Sequence, residues 1–417
     1  VAMLLKPNYI RVFTFAFVTA GLMTACDLSG LLSPTTKAKS AAELDPTLIA
    51  APSPTPTPTA TPVACVGGPT TFSTNMSARA VIGQADFVQN SSNRGGAVSA
   101  NTLSDPLGVT VQAGKLYIAD GSNNRILIYN SVPTTNGASA DAVLGQADFV
   151  SSARATSATG LNGPQGIWAN AQYLAVAEWS NSRVSLWPLS GSSISYVFGQ
   201  ADAITSGANS GGRSASSIAN ATSVVAAGGK YIVNDAGNHR LMLFNDNVSG
   251  SGASAVTILG QSDAVSAVAG TGNNQMDFPL GAATDGTKLV VVDSNNNRLL
   301  IYNSIPTATG ATADVVWGGF GASSLTLNYP VGAHFDGTRL FVADRGNDRV
   351  LVFNSLPTSA SQPADAVLGQ STFNSGDHNQ CNCTTAAANT LWGVHFVYWD
   401  GCRLVVSDKQ NHRVLIY

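Results

Sequence analysis

The stretch Asp120-Gly-Ser-Asn-Asn-Arg-Ile-Leu-Ile-Tyr-Asn130 is a polar turn followed by an apolar segment, and it recurs five more times along the chain. The later copies are EWSNSRVSLW from Glu178, DAGNHRLMLFN from Asp235, DSNNNRLLIYN from Asp293, DRGNDRVLVFN from Asp344 and DKQNHRVLIY from Asp408. Their arginines follow at steps of 58, 57, 58, 51 and 64 residues: Arg125, Arg183, Arg240, Arg298, Arg349 and Arg413. A period of this length predicts a repeat protein.

Each copy lies in a unit of four short segments, which in the first unit are residues 108–112, 115–120, 125–129 and 141–146. Runs of Val, Ile, Leu and Tyr bounded by Gly, Asn, Asp and Ser are typical of strands joined by turns. A four-stranded unit repeated in this way predicts an all-β fold, a β-propeller with six blades.

The fourth segment of the unit predicts how the ring closes. Its copies are residues 81–84, 143–146, 197–200, 258–261, 316–319 and 367–370, and the first of them precedes the first complete unit. The last unit ends at Tyr417 on a third strand. We expect residues 81–84 to be the outer strand of the last blade, which leaves no unpaired sheet edge.

The unit P-x-G-V, L-Y-I-A-D, N-x-R-I-x-x-Y resembles the NHL repeat. The segment Val-Leu-Gly-Gln-Ala-Asp-Phe at 143–149 is similar to a variant found in many bacterial NHL-repeat proteins. This resemblance covers residues 78–417 and implies a six-bladed NHL-like propeller. Such propellers are mostly platforms for binding and only a minority are enzymes, so the fold alone does not assign an activity.

Residues 1–25 are predicted to be an export signal, because Lys6 and Arg11 precede an apolar run at 12–23. That run is shorter than the roughly 20 residues of a membrane span. Its end, Met23-Thr-Ala-Cys26, is similar to the bacterial lipobox. The resemblance implies that Cys26 is acylated and becomes the mature N-terminus; an ordinary secretory signal is the alternative.

Residues 26–77 are rich in Ser, Pro, Thr and Ala, with alternating prolines at 52–62. Alternating proline favours an extended polyproline II chain of ~3.1 Å per residue, so this segment is predicted to be a linker. Together the two N-terminal segments predict an exported, lipid-anchored protein of a bacterial cell envelope, with the propeller held away from the membrane.

Composition excludes some classes of partner. Only 11% of the residues are charged and the net charge is −3, against a typical charged fraction of roughly 25%. No basic footprint for nucleic acid is present. We expect a monomer whose partner is a protein, a peptide or a glycan.

The connections that follow each fourth strand predict where that partner binds. Five of the six exceed the ~12 to 15 residues above which loops are uncommon unless functional or disordered. Residues 90–100, 206–217 and 374–385 vary most between units and carry little charge. We expect recognition there by hydrogen bonds and by Phe87, Phe149 and Phe373, with weak dependence on salt. If these aromatic residues instead anchor the loops, a polar surface would favour a glycan.

The repeated acidic and arginine residues invite a catalytic interpretation, but a reaction centre needs one set of groups and this chain has six. We therefore expect charge-assisted hydrogen bonds that fasten turns and neighbouring blades. The asparagines of the motif are predicted turn formers. The structural residues are Asp120, Arg125, Glu178, Arg183, Asp235, Arg240, Asp293, Arg298, Asp344, Arg349, Asp408 and Arg413, and the asparagines are Asn124, Asn181, Asn238, Asn296 or Asn297, Asn347 and Asn411.

Two histidines break the repeat. Aligning the innermost strands places His334 and His395 at one position, where the other units carry Thr110, Trp168, Val225 and Ala283. Some six-bladed enzymes, such as peptidylglycine amidating lyases, hold zinc there with three histidines, and a zinc site normally has at least three protein ligands. Only two match here. The sequence therefore predicts packing histidines, no metal, no cofactor and no catalytic residue; a metal-dependent lyase or hydrolase at the channel is the alternative function.

Four cysteines follow Cys26: Cys65, Cys381, Cys383 and Cys402. An even number in an exported chain favours disulfides, and three pairings are possible. We expect Cys65 to be bonded to the last blade, with Cys402 slightly preferred to Cys381 or Cys383. The leading prediction for function is an envelope-anchored binding or scaffold protein, and a structural role in surface assembly is a third candidate.

Overall fold

The computed structural model describes residues 71–417. The predicted signal at 1–25, Cys26, the linker as far as residue 70 and Cys65 lie outside the described residues. The described part contains 24 strands, which form six four-stranded antiparallel sheets. Within residues 71–417, no helix is both long enough and apolar enough to span a membrane.

The strands are numbered in chain order and form the blades as follows. β1 (Ala80–Ile82) precedes blade 1, which is β2 (Pro106–Gln112), β3 (Lys115–Asp120), β4 (Arg125–Tyr129) and β5 (Ala142–Leu144). Blade 2 is β6 (Pro164–Ala169), β7 (Tyr173–Glu178), β8 (Arg183–Pro188) and β9 (Tyr196–Phe198). Blade 3 is β10 (Ala221–Ala227), β11 (Lys230–Asp235), β12 (Arg240–Asn245) and β13 (Thr257–Leu259). Blade 4 is β14 (Pro279–Thr284), β15 (Leu289–Asp293), β16 (Arg298–Tyr302) and β17 (Val315–Gly318). Blade 5 is β18 (Gly332–Phe335), β19 (Leu340–Asp344), β20 (Arg349–Phe353) and β21 (Ala366–Leu368), and blade 6 is β22 (Val394–Trp399), β23 (Leu404–Asp408) and β24 (Arg413–Ile416) with β1.

The inner strands close a ring. β2, β6, β10, β14, β18 and β22 each contact the next, and β22 contacts β2. The sheet order β1-β24-β23-β22 places β1 at the outer edge of blade 6, with Val81 opposite Leu415. The predicted six-bladed, all-β propeller is confirmed, and its closure by an N-terminal strand agrees with this pairing.

Six apolar clusters lie between successive blades, so each blade packs both of its faces. The glycine of the P-x-G-V motif permits close approach of the inner strands. A Cβ added at Gly281 would lie 2.4 Å from the carbonyl oxygen of Val331 in the next blade. Any larger residue there must push two blades apart, which explains the small residue in this position.

The packed structure begins before residue 78. Phe72 lies edge-on to Phe341 at 5.2 Å and to Trp399 at 5.5 Å, between blades 5 and 6. The backbone N–H of Asn75 donates to the carbonyl of Val367, and that of Ala78 donates to Ala388. The last residues of the segment assigned to the linker thus fasten the N-terminal strand onto the ring.

Candidate binding face

A buried arginine and an acid join the turn of each blade to the loops around it. In blade 1 the Nε of Arg125 donates to Asp120 at 2.8 Å, and its other nitrogens donate to the carbonyls of Ser99, Thr102 and Phe149. One guanidinium therefore binds the preceding connection and the turn that follows the fourth strand. The other pairs are Glu178–Arg183, Asp235–Arg240, Asp293–Arg298, Asp344–Arg349 and Asp408–Arg413, at 2.7 to 2.8 Å.

A second ring of hydrogen bonds joins each blade to the next. The residue before each repeat arginine has positive φ, and its side chain accepts from the backbone N–H just before the next inner strand. The acceptor–donor pairs are Asn124–Gly163, Ser182–Asn220, His239–Phe278, Asn297–Tyr329, Asp348–Gly393 and His412–Asp105, at 2.5 to 3.3 Å. We call these six contacts the inter-blade belt. Every acceptor carries an oxygen or an imidazole nitrogen, so a polar residue before each arginine was the signal in the sequence.

The asparagine three residues after each acid has a different task. In blade 1 this asparagine is Asn123, and in blade 4 it is Asn296. The adjacent residues Asn124 and Asn297 belong instead to the inter-blade belt. Each donates to its acid at 2.7 to 2.8 Å, the full set being Asn123, Asn181, Asn238, Asn296, Asn347 and Asn411. The prediction of simple turn formers was therefore incomplete, since these amides also hold the buried carboxylates.

The three variable loops share an anchor. Asn93, Asn209 and Asn379 each exchange side-chain amide hydrogen bonds with the motif asparagine of the following blade. The aromatic residues Phe87, Phe149 and Phe373 pack against blade cores. The loop aromatics are thus anchors, whereas aliphatic neighbours stay exposed: Val88, Val150, Ile204 and Val265 are 60% to 72% exposed.

The two histidines that sequence alignment made equivalent lie at different levels of the channel. His334 pairs with Phe341, and the corresponding residue of blade 6 is Tyr398, which pairs with Val405. His395 lies three residues earlier in β22, nearer the face that carries the long connections and the motif turns, which we call the loop-bearing face. The alignment of blade 6 was wrong because β22 lacks the Gly that fixes the register in blades 1, 2, 4 and 5 and carries Phe396 instead.

The half of the channel near His334 forms a cavity of about 180 Å³. Polar and apolar atoms both line it, and each blade contributes to its wall: Val109, Trp168, Val225, Ala283, His334 and Tyr398. The His334 ring lies 4.6 Å from that of Tyr398. Burial lowers the pKa of His334 to about 4, so its imidazole is neutral at physiological pH.

At the loop-bearing face the channel mouth is lined by aromatic residues on blades 2 to 5. Trp179 of blade 2 lies edge-on to Phe278, at the start of blade 4, with ring centroids 5.9 Å apart. It can reach across blade 3 because Ala236 occupies the equivalent position there. These three residues form one cluster with Leu280, Tyr329 and Val331. The rings of Trp179, Phe278 and Tyr329 remain half-buried, so part of each surface faces solvent.

The rest of the mouth, on blades 5 and 6, is polar and cationic. Arg345 and Lys409 occupy the position that Trp179 has in blade 2, and both are half-buried. Within residues 71–417 neither forms an ion pair or a side-chain hydrogen bond; Arg345 lies 5.8 Å from the Tyr329 ring. Burial lowers the pKa of His395 well below its ordinary value, and Arg345 and Lys409 lower it further. Trp392 completes this side and stacks on His378 at 4.7 Å.

Metal ligands and disulfides bear on the remaining predictions. Among the described residues, no group of three or more His, Cys, Asp or Glu side chains is placed to hold a metal.

Cys381 is disulfide-bonded to Cys383, so neither is the partner of Cys65. Cys402 is also disulfide-bonded. Because Cys65 lies outside the described residues, the Cys65–Cys402 bridge stays a prediction.

Comparison with known proteins agrees with this architecture. Residues 103–129 match the sequence model of the NHL repeat. The match spans β2, β3 and β4 of blade 1, the same three strands that recur in every blade. A search of curated proteins returned no match. The matched repeat and the six-bladed ring together support a propeller of the NHL type.

Sequence reasoning missed the residues of the channel mouth. The position after each repeat acid holds Gly121, Trp179, Ala236, Ser294, Arg345 and Lys409. It is the most variable position of an otherwise regular motif, and that variation was the available signal. The motif turns therefore contribute variable residues to this face, as the long connections do.

Proposed function

We propose that the propeller is a binding module that recognises a glycan at the channel mouth of its loop-bearing face. Support comes from the half-buried rings of Trp179, Phe278, Tyr329 and Trp392, which are contributed by four blades around one opening. Ligand sites combine apolar and aromatic walls with a few polar groups. The surrounding loops are rich in Ser, Asn, Thr and Gly, which supply hydrogen-bond donors and acceptors suited to hydroxyl groups.

A glycan fits better than a peptide for two reasons. A sugar ring offers a flat face of C–H groups that can stack on an aromatic side chain, with hydroxyl groups at its edge. The loop aromatics Phe87, Phe149 and Phe373 are partly buried against the blade cores, so less of their surface is open to the apolar side chains of a peptide. A general scaffold role for protein partners remains the broader class to which this fold is suited.

We also propose a cellular location for the protein. The predicted export signal at 1–25 and the lipobox-like sequence Met23-Thr-Ala-Cys26 support a lipid-anchored protein of a bacterial cell envelope, where cell-surface polysaccharides would be the available glycans. Replacing Cys26 with Ser should move the protein from the membrane fraction to the soluble fraction and remove the mass of the acyl chains. An unchanged mass and partition would contradict lipidation.

A panel of polysaccharides tests the binding function. Trp179→Ala and Trp392→Ala should each weaken binding of the captured glycan at least tenfold while leaving the thermal midpoint within a few degrees. Trp168→Ala is the matched control, because Trp168 lines the channel cavity nearer the opposite end. Loss of binding in the Trp168 variant alone would place the site in that cavity and contradict the proposal, as would a panel with no ligand.

A further inference from the structure

We infer that blades 5 and 6 carry an anion-binding site at the channel mouth, formed by Arg345, Lys409 and His395, which selects an acidic saccharide bearing a carboxylate or a sulfate. This inference rests on the proposed glycan-binding function and specifies its ligand. It concerns the half of the mouth on blades 5 and 6, where Arg345 lies 5.8 Å from the ring of Tyr329.

The two cations are the first observation. Arg345 begins the short 3-10 turn Arg345–Asn347, and Lys409 begins the equivalent turn Lys409–Asn411 in the next blade. β22, which carries His395, contacts both β19, which ends beside Arg345, and the turn that begins at Lys409. In keeping with this placement, both cations lower the pKa of His395, and Arg345 helps to lower the pKa of Lys409. Neither cation forms an ion pair within residues 71–417, and an anion between them would offset the repulsion of the two like charges.

The buried histidine is the second, independent observation. His395 is 8% exposed, and its Nδ1 has no hydrogen-bond partner among the described residues. A buried polar atom without a partner is unfavourable, because its lost contact with water is not replaced. Because that nitrogen has no exposed surface, a rotation of the imidazole must bring it to the mouth before a ligand oxygen can accept its proton in a hydrogen bond. The cost is then removed in the complex, which adds to the affinity for that oxygen.

The neighbouring carboxyl groups do not fill the site. Asp105 acts on the pKa of Lys409 but forms no ion pair with it, and it lies against His412 at 3.5 Å. Asp348 accepts from the backbone N–H of Gly393 in the belt. Burial raises the pKa of Asp348 to about 7, so this carboxyl is only partly ionised near neutral pH and neutralises Arg345 incompletely. Trp392 and Tyr329 flank the cations, so a sugar ring carrying the anion can lie against an aromatic face.

The test measures binding of glucuronate, glucose 6-sulfate and glucose to the full chain by calorimetry. Glucuronate or the sulfate should bind at least tenfold more tightly than glucose, with affinity falling as salt rises. Arg345→Gln and Lys409→Gln should each remove at least tenfold of that preference. Arg154→Gln is the matched control, because Arg154 is exposed on another connection of the same face. The relative affinity of the two acidic sugars identifies carboxylate or sulfate as the ligand group.

The possible outcomes distinguish failure of the anion site from failure of the proposed glycan-binding function. Equal affinity for neutral and acidic sugars, unaffected by Arg345→Gln, would overturn the anion site and leave the glycan-binding proposal in place. Retained binding in Trp179→Ala and Trp392→Ala would overturn the proposed site. Absence of any acidic-sugar binding while a neutral polysaccharide binds would likewise overturn the anion site. A perturbed imidazole resonance of His395 on addition of glucuronate supports it directly.

Discussion

The carboxyl group of Asp348 accepts a hydrogen bond from the backbone N–H of Gly393, and this contact joins blade 5 to blade 6. The same belt position is filled by Asn124 in blade 1 and by Asn297 in blade 4. An amide oxygen therefore performs this task without a charge. Burial is the main cause that raises the pKa of Asp348 from 3.8 to about 7, with Asp408 and Asp344 adding to the rise and Arg345 opposing it.

Because blade 5 has a titratable carboxyl where blades 1 and 4 have a neutral amide, we expect the stability of the protein to depend on pH. Because the folded-state pKa of Asp348 exceeds the unfolded value, the folded state favours the protonated carboxyl. The free energy of unfolding should thus fall as pH rises from about 4 to about 7. The shift corresponds to an upper bound of roughly 4 kcal/mol. Asp348→Asn should raise the thermal midpoint at pH 8, have little effect near pH 4, and flatten the profile between them.

The reverse substitution is the matched control. Asn297→Asp places a carboxyl at the equivalent belt position of blade 4, where the acceptor binds the N–H of Tyr329 at 2.7 Å. It should lower the midpoint at pH 8 more than at pH 4. Parallel pH profiles for the original protein and Asp348→Asn would show that Asp348 is not responsible.

The ring could be predicted from the sequence because its signal is repeated. Six copies of one turn and six copies of one outer strand gave the number of blades and the strand that closes them. The position of each inner-strand residue along the channel was harder to predict. β22 has Phe396 where four other blades carry Gly, so the motif that fixes the register is missing and His395 was placed three residues from its true equivalent.

The channel mouth could not be predicted because its residues are distant in sequence. Trp179 meets Phe278 only because the small side chain of Ala236 leaves space between them. Arg345 and Lys409 approach one another only because consecutive blades bring equivalent turns together. Periodicity identifies what is common to the blades, whereas a single binding site depends on the residues in which they differ.

A buried arginine should contribute far more to stability than an exposed one. Arg125 binds Asp120 and three backbone carbonyls and has no exposed surface. Burial raises the pKa of Asp120 and Arg125 opposes that rise. Arg125→Met should thus leave an unpaired buried acid and cost about 3–5 kcal/mol in the free energy of unfolding. Arg154→Met, at an exposed site, should change stability by less than ~0.5 kcal/mol. Similar thermal midpoints for the two variants would contradict the structural role.

The predicted disulfide at the seam of the ring should stabilise more than the local one. A Cys65–Cys402 bridge closes a long loop, for which ~2–4 kcal/mol is typical. Cys381 and Cys383 are separated by two positions, so their bridge restricts the unfolded chain very little. Cys402→Ser should lower the thermal midpoint, and the double variant Cys381→Ser, Cys383→Ser should lower it much less. Peptide mapping without reduction checks the pairing, and recovery of Cys65 as a free thiol would exclude it.

Closure of the ring rests on β1, three residues that cover the outer edge of blade 6. Val81 pairs with Leu415 and is fully buried in the cluster between blades 5 and 6. Val81→Asp would place an unpaired charge in that cluster, and the strand should detach and expose the edge of β24. We expect aggregation and a loss of more than ~3 kcal/mol in the free energy of unfolding, within the range for a buried unpaired charge.

A nearby valine provides the control for closure. Val88 follows the same strand but is 60% exposed, so Val88→Asp should leave solubility and the thermal midpoint almost unchanged. Deleting residues 78–87 should reproduce the effect of Val81→Asp and also remove the carbonyl of Phe87, to which Arg413 donates. Light scattering and thermal unfolding of the three variants decide the matter. A soluble deletion variant with an unchanged midpoint would mean that blade 6 is stable with three strands and that β1 does not hold the ring shut.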